Sequence, residues 1–296
     1  MQMAKSDLTP MKALRDFLEL IKFEHTIFAL PFAYLGMLLA AGGWPGWEKF
    51  IWITIAMAAA RTVAMGFNRI ADRILDARNP RTAHRPLVTG AISNRVAWTG
   101  TLMAALVLGL AAWQLGPLPL RLLPGALLFL FGYSFTKRFT WLSHFILGFT
   151  DALAPAGAWA AVRGSLFTPE DLPAWLMTAL VTLWIGGFDL IYACQDVEVD
   201  RRDGLQSIPA RFGIAAALRL STLSHLLTIL LLVALGWVMG LGWPFWIGVA
   251  ITAGLLAWEH SLVKPDDLSR VNVAFFNINS YISLTLFIAV MGALWI

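Results

Sequence analysis

Residues 49–76 read KFIWITIAMAAARTVAMGFNRIADRILD, an apolar run that closes on an amide and two carboxylates at four-residue spacing, Asn68, Asp72 and Asp76. A helix rises about 1.5 Å per residue, so roughly 20 apolar residues cross the ~30 Å of hydrocarbon in a bilayer. The stretch therefore predicts a membrane span whose acidic end lies at one interface. Residues 173–200, PAWLMTALVTLWIGGFDLIYACQDVEVD, repeat the pattern: a second apolar run passes Asp189 and closes on Asp196 and Asp200.

Outward from these two stretches, apolar blocks recur along the chain and predict spans at about 23–42, 49–70, 95–114, 121–137, 140–162, 173–195, 214–238, 242–260 and 273–296. The expectation is an all-α membrane protein, one domain over 1–296, with nine transmembrane helices around a central cavity. The alternation of a β-barrel is missing. Composition agrees: 58% of the 296 residues are hydrophobic and 14% charged, with mean hydropathy +0.70, more apolar surface than a soluble chain of this length buries. The first residues, MQMAKSDLTPMKALRDFLELIKFEHT, are polar and mixed in charge, so the first span is expected to direct insertion. Cys194 is the one cysteine, which excludes a disulfide framework or a thiolate metal site within the chain.

Charge placement orients the spans. With the N-terminus on the cytoplasmic side, every Lys and Arg falls on that side except Lys49, Arg121, Arg163 and the intraspan Arg61. The positive-inside rule then puts the C-terminus on the outer side. Outer connections such as Gly42-Gly43-Trp44-Pro45-Gly46 and Gly116-Pro117-Leu118-Pro119 read as turns. Two inner connections, 71–94 and 196–213, are longer and dense in Asp and Arg, which marks them as functional loops over the helix ends. Trp44, Trp47, Trp52, Trp113, Trp141, Trp184, Trp243 and Trp246 read as an interfacial aromatic belt. Membrane lipid, not nucleic acid, is the expected surrounding.

Like charges stacked four residues apart on a helix repel, and near a membrane that repulsion is poorly screened, so both stripes call for a cation. Oxygen-only donors, with no His or Cys among them, suit Mg²⁺ bridged to a phosphate. The competing reading is a solvated helix end in which Asp72 and Asp76 pair with Arg69, Arg73 and Arg78; recurrence of the spacing at the sixth span argues against it. Arg61, seven residues before Asn68, and Asp189, seven before Asp196, extend the stripes inward, and His144 with Asp151 makes a third polar stripe. Arg61 with Asp189 or Asp151 is an expected buried pair. Tyr133 and Lys137 share a face at the end of the fourth span, where a hydroxyl and an ammonium reach a phosphate or metal-bound water.

Taken together, N-x-x-x-D-x-x-x-D at Asn68, Asp72 and Asp76, D-x-x-x-D at Asp196 and Asp200, and Y-x-x-x-K at Tyr133 and Lys137 resemble the UbiA superfamily of intramembrane prenyltransferases, in order and separation along essentially the whole chain. The resemblance implies Mg²⁺ held by Asn68, Asp72, Asp76, Asp196 and Asp200, and a lateral opening that leaves a long isoprenoid tail in lipid. The runs Asn79-Pro80-Arg81-Thr82-Ala83-His84-Arg85-Pro86-Leu87, Tyr133 to Thr140 and Tyr192-Ala193-Cys194-Gln195-Asp196 are similar to the branch that prenylates 4-hydroxybenzoate. Lys22-Phe23-Glu24-His25-Thr26 and residues 269–276 are similar to the futalosine-pathway menaquinone enzymes, whose acceptor is 1,4-dihydroxy-6-naphthoate.

The resemblance further implies a polyprenyltransferase of the cell inner membrane, its active site facing the cytoplasm, that joins a polyprenyl diphosphate to an aromatic acid in ubiquinone or menaquinone biosynthesis. Asp72, Asp196, Lys137 and Tyr133 are the expected catalytic set; Asn68, Arg61, Arg69, Arg138, Lys22 and Asp189 are expected to bind substrate. Arg138, with Arg61 as the alternative, is expected on the acceptor carboxylate, and Asp189 or the diphosphate on the ring proton. A transporter is the reading from another class; acidic groups at one interface instead of the midplane argue against it.

Overall fold

A computed structural model describes residues 18–21 and 26–296, the side chains of 26–29 excepted. Lys22 lies outside the described residues. From residue 26 onward the described residues form thirteen α-helices, in chain order: α1 Thr26–Ala41, α2 Trp47–Ala71, α3 Arg73–Arg78, α4 Pro86–Thr89, α5 Asn94–Leu115, α6 Pro117–Thr136, α7 Ser143–Arg163, α8 Leu172–Ala193, α9 Val197–Arg202, α10 Ile208–Phe212, α11 Ile214–Met239, α12 Trp243–Ser261 and α13 Asn279–Trp295. Among the described residues there is no strand, only an isolated bridge between Lys264 and Asp267.

Among the described residues seven helices are long and apolar enough to cross a membrane: α2, α5, α6, α7, α8, α11 and α13, with α8 and α13 counted together with the helical turns continuous with them. The other two expected spans are weaker. In α1 the apolar helix covers Leu30–Ala41, and the 19 residues of α12 include Pro244, Glu259 and His260. Large apolar side chains point outward, Leu106 at 68% exposed, Leu128 at 71% and Trp237 at 75%, which suits a lipid surround and would be costly in water. Inside, Phe32, Trp159, Trp184, Phe245 and Leu286 belong to one buried cluster.

α7 packs along α8, α8 along α11, and α2 along α5. Small residues permit the approach: a Cβ at Gly148 of α7 would run into the Thr182 carbonyl of α8. Trp184 departs from the interfacial belt. It is 4% exposed in the middle of α8, its ring 4.6 Å from Phe32, because the seam between α1 and α8 needs a large apolar filler there.

Several expected boundaries move. Gly116-Pro117-Leu118-Pro119 does not form an extended turn; α6 starts at Pro117 directly after Gly116, since proline is tolerated in a helix's first turn. The inner connections 71–94 and 196–213 are not open loops but fold as α3, α4, α9 and α10. The last expected span starts as a π-helical turn, Val273–Ile278, before α13.

Candidate active site at the acidic helix ends

The two aspartate motifs share one backbone device. α2 stops at Asp72, with φ −97° and ψ 8°, and α3 resumes at Arg73. α8 passes through a short 3₁₀ turn, Cys194–Asp196, and stops at Asp196, with φ −101° and ψ 4°, before α9 resumes at Val197. The stripe expected on one continuous helix is thus broken at its first aspartate in both motifs. The bridge-region conformation there is sparsely populated and recurs at active-site residues. Each break residue caps the short helix that carries the second aspartate of its motif, and the Asp76 N–H donates to the Asp72 carbonyl at 2.7 Å.

Four different cations hold the four carboxylates. Asp76 accepts from Arg85 Nη1 at 2.6 Å on each oxygen. Asp196 is gripped by Arg81 through Nε at 3.0 Å and Nη2 at 2.5 Å, and accepts a third bond from Asn79 at 2.9 Å. Lys137 Nζ lies 2.8 Å from Asp200, whose other oxygen accepts from Ser207 at 2.6 Å. Arg138 donates to Asp72 at 2.9 Å and to the Ala71 carbonyl at 2.7 Å. Neighbouring residues Lys137 and Arg138 therefore reach opposite motifs and tie them together. Asn68 donates to Asp72 at 2.8 Å and takes a bond from Arg69 at 3.2 Å, whose Nε reaches the Leu20 carbonyl at 3.3 Å.

Burial pushes the Asp72 carboxyl above the usual aspartate range, against the hydrogen bond from Arg138. Burial also pulls on Arg81, but its bonds to Asp196 outweigh this and hold its guanidinium above the usual arginine value. Tyr192 adds to that grip: its hydroxyl accepts from Arg81 Nη1 at 2.8 Å while the guanidinium sits 4.9 Å above its ring.

Below this polar end lies a cavity of about 930 Å³. Arg69, Arg81, Arg85, Tyr192 and Gln195 line it at the acidic end, and Leu115, Leu166, Phe167 and Trp175 near the other. Arg61, Tyr133, Asp151 and Asp189 line it between. Tyr133 hydrogen-bonds the Ala64 carbonyl at 3.1 Å. Asp189 pairs with His144, Oδ2 to Nδ1 at 2.6 Å, while His144 Nε2 accepts from the Ile208 N–H at 3.4 Å. With Nε2 accepting, the ring proton of a neutral His144 sits on Nδ1 and points at Asp189. His144 thus faces Asp189, on α8, and not Asp151, its partner in the expected stripe on α7. Among the described residues Arg61 makes no close ion pair, and its Nε has no hydrogen-bond partner. Arg138, by contrast, is 39% exposed in its side chain and is not among the lining residues.

The sequence reading placed both motifs, Tyr133 and Lys137 at one helix-bundle end. It did not assign Asn79, Arg81, Arg85 or Ser207 to the carboxylates, nor Tyr192 to Arg81; the run 79–87 and the Tyr192 segment were visible only as parts of a resemblance. Among the described residues, no three His, Cys, Asp or Glu side chains are close enough to enclose a metal ion. Two separated carboxylate pairs with oxygen donors alone fit Mg²⁺ that takes its remaining ligands from water and substrate phosphate instead of an all-protein cage. The residues present fit that ion.

Comparison with known proteins reaches the same place. Residues 29–281 match the model of the UbiA prenyltransferase family. A 4-hydroxybenzoate octaprenyltransferase of Vibrio cholerae is 30% identical over 97% of this chain and 100% of its own length. A solved UbiA homolog from Aeropyrum pernix K1 superimposes with TM-score 0.83 at 34% identity, covering 91% of this chain and 98% of that one. A UbiA homolog from Archaeoglobus fulgidus bound to DMAPP and Mg²⁺ shares the fold at TM-score 0.69 and 20% identity, over 94% and 99% of the two chains.

Proposed function

The chain belongs to the UbiA prenyltransferase family, and from that premise we propose that it transfers a polyprenyl group from a polyprenyl diphosphate to an aromatic carboxylic acid of the 4-hydroxybenzoate type in quinone biosynthesis. It does so as a nine-span, single-domain protein of the cell inner membrane, N-terminus cytoplasmic and C-terminus outside, with the acidic end of the cavity open to the cytoplasm. The observation that carries this reading is the pairing of two broken-helix aspartate motifs by four cations over one long apolar cavity. A carrier would not need that arrangement, and the family membership sets a transporter aside.

Asn68, Asp72, Asp76, Asp196 and Asp200 would hold Mg²⁺. When bound, the metal neutralises charge on the leaving diphosphate. Arg81, Arg85, Arg69 and Lys137 donate to the diphosphate oxygens, which requires Arg81, Arg85 and Lys137 to exchange their aspartate partners for phosphate. The isoprenoid tail lies along the apolar wall toward Phe167 and Trp175. Tyr133 keeps its hydroxyl on the Ala64 carbonyl and closes the polar end. As the allylic C–O bond breaks, diphosphate leaves with the electron pair, and the ring carbon ortho to the acceptor's phenol forms the new C–C bond. The dry cavity keeps water from capturing the allylic cation. Asp189, oriented by His144, takes the ring proton and restores aromaticity.

Arg61 takes the acceptor carboxylate. Its unpartnered Nε and its place in the cavity favour it over Arg138, which is committed to Asp72. The assay offers purified protein geranylgeranyl diphosphate with 4-hydroxybenzoate or 1,4-dihydroxy-6-naphthoate, in Mg²⁺ or EDTA. Mg²⁺-dependent prenylation of 4-hydroxybenzoate is the expected result. Turnover of the naphthoate alone would move the acceptor to the one suggested by the resemblance at 269–276, and turnover of neither would overturn the reading.

A further inference from the structure

Glu259, near the end of α12, has none of its surface exposed. A carboxylic acid at such a depth is expensive and is seldom retained without a task. Its Oε1 accepts from Asn279 Nδ2 at 3.2 Å, while among the described residues Oε2 has no hydrogen-bond partner and His225 Nδ1 lies 3.7 Å away. His225 is itself engaged, 2.9 Å from His260 and 3.2 Å from the Trp184 carbonyl. Among the described residues, the hydrogen bond that Glu259 makes runs through Oε1 to Asn279.

It holds the start of α13. Asn279 Nδ2 also reaches the carbonyls of Ala274 at 3.2 Å and Phe275 at 3.0 Å, both inside the π turn, while the Asn279 backbone N–H serves Phe276. Three oxygens around one amide nitrogen fix its orientation. π turns are rare and concentrate at functional sites. This one carries Phe275, whose ring lies 4.2 Å from that of Tyr192 and edge-on to Phe188 at 5.2 Å. Tyr192 in turn binds Arg81, the arginine on Asp196. Phe275, Asn279 and Tyr192 line the cavity together with Asp189 and Arg61.

We propose that Glu259 is a positioning residue for the aromatic acceptor: by anchoring Asn279 it preserves the π turn, and with it the Phe275 and Tyr192 pair, which stands in the cavity wall one helical turn from Asp189, the group assigned to the acceptor's ring proton. This rests on the acceptor chemistry proposed above. If the turn relaxed to α-helix, the residues before it would rotate by about 100° relative to α13, and Phe275 would leave Tyr192.

The test compares wild type, Glu259→Gln and Glu259→Leu in lipid nanodiscs by hydrogen exchange over residues 273–280 and by separate KM values for the two substrates. Glutamine keeps the oxygen that accepts from Asn279 and is expected to behave as wild type in both. Leucine is expected to speed exchange in that segment and to raise the acceptor KM by about tenfold or more, as small misplacements of a substrate do, with the diphosphate KM within about twofold. Phe275→Leu leaves the buried cluster intact and should give the same selective rise in acceptor KM, which decides the matter should Glu259→Leu fail to fold. Unchanged exchange in Glu259→Leu, an equal loss in Glu259→Gln, or a parallel rise in both KM values would overturn the proposal. Wild type that prenylates no aromatic acid would overturn the acceptor reading and this role with it, whereas normal wild-type turnover with unchanged exchange overturns the anchor alone.

Discussion

The two aspartate motifs have the same backbone and different surroundings. Asp72 and Asp196 sit at matching helix breaks, φ −97° and −101° with ψ near zero. Yet Asp72 is the most open of the four carboxylates, 22% exposed in its side chain against 2% for Asp200. The second motif is supplied with neutral donors from distant segments, Asn79 on Asp196 and Ser207 on Asp200, as well as with its cations. The first has its own Asn68 and the half-exposed Arg138 on Asp72, and Arg85 on both oxygens of Asp76. The difference teaches that matched spacing need not mean matched surroundings: each carboxylate of the second motif has a neutral side-chain donor from a distant segment beside its cation, whereas in the first only Asp72 has one, from its own motif.

The sharpest way to break the comparison is at the shared helix breaks. Asp72→Ala and Asp196→Ala are each expected to lower kcat by about 10² to 10³ or more, the scale of removing a group that stabilises developing charge; near-normal turnover in either one would remove it from the metal-holding set. Next come the neighbours that straddle the motifs. Lys137→Met, at the buried Asp200, should cost about 10² in kcat/KM, while Arg138→Ala, on an exposed ion pair, should cost only a few fold. Equal losses would mean that the motifs are not differently built. Arg61→Met should raise the acceptor KM roughly tenfold, the scale of one lost charge-assisted bond, with the diphosphate KM unchanged in the same steady-state assay. The smallest effect belongs to Ser207→Ala: an Asp200 oxygen and the Ala210 N–H lose a partner, and thermal unfolding in detergent should report a loss of about 1–3 kcal/mol with little change in KM.

Much of this was legible because it is local. Asn68, Asp72, Asp76, Asp196 and Asp200 announce themselves by four-residue spacing at the ends of apolar runs, and Tyr133 and Lys137 by one helical turn. Both helix breaks were invisible, because nothing in Ala71-Asp72-Arg73 or Gln195-Asp196-Val197 is a helix breaker. The pairing of Arg81 with Asp196 and of Lys137 with Asp200 joins residues 115 and 63 positions apart, and no local pattern encodes such distances. Arg85 is only nine residues from Asp76, yet it reaches back across an intervening turn between α3 and α4, which periodicity does not describe. Trp184 shows the opposite error: tryptophan favours interfaces on average, but the seam beside Phe32 needed its volume.

The central claim, that the two motifs jointly hold one metal-bound prenyl diphosphate, is tested most directly by calorimetric titration of geranylgeranyl diphosphate into the detergent-purified protein with Mg²⁺ or with EDTA, in wild type, Asp72→Asn and Asp196→Asn. The account predicts tight binding to wild type only with Mg²⁺, and loss of that Mg²⁺-dependent gain in each variant, including the one in which the other motif is intact. Binding of equal strength in EDTA, or a variant that keeps the full gain, would contradict it.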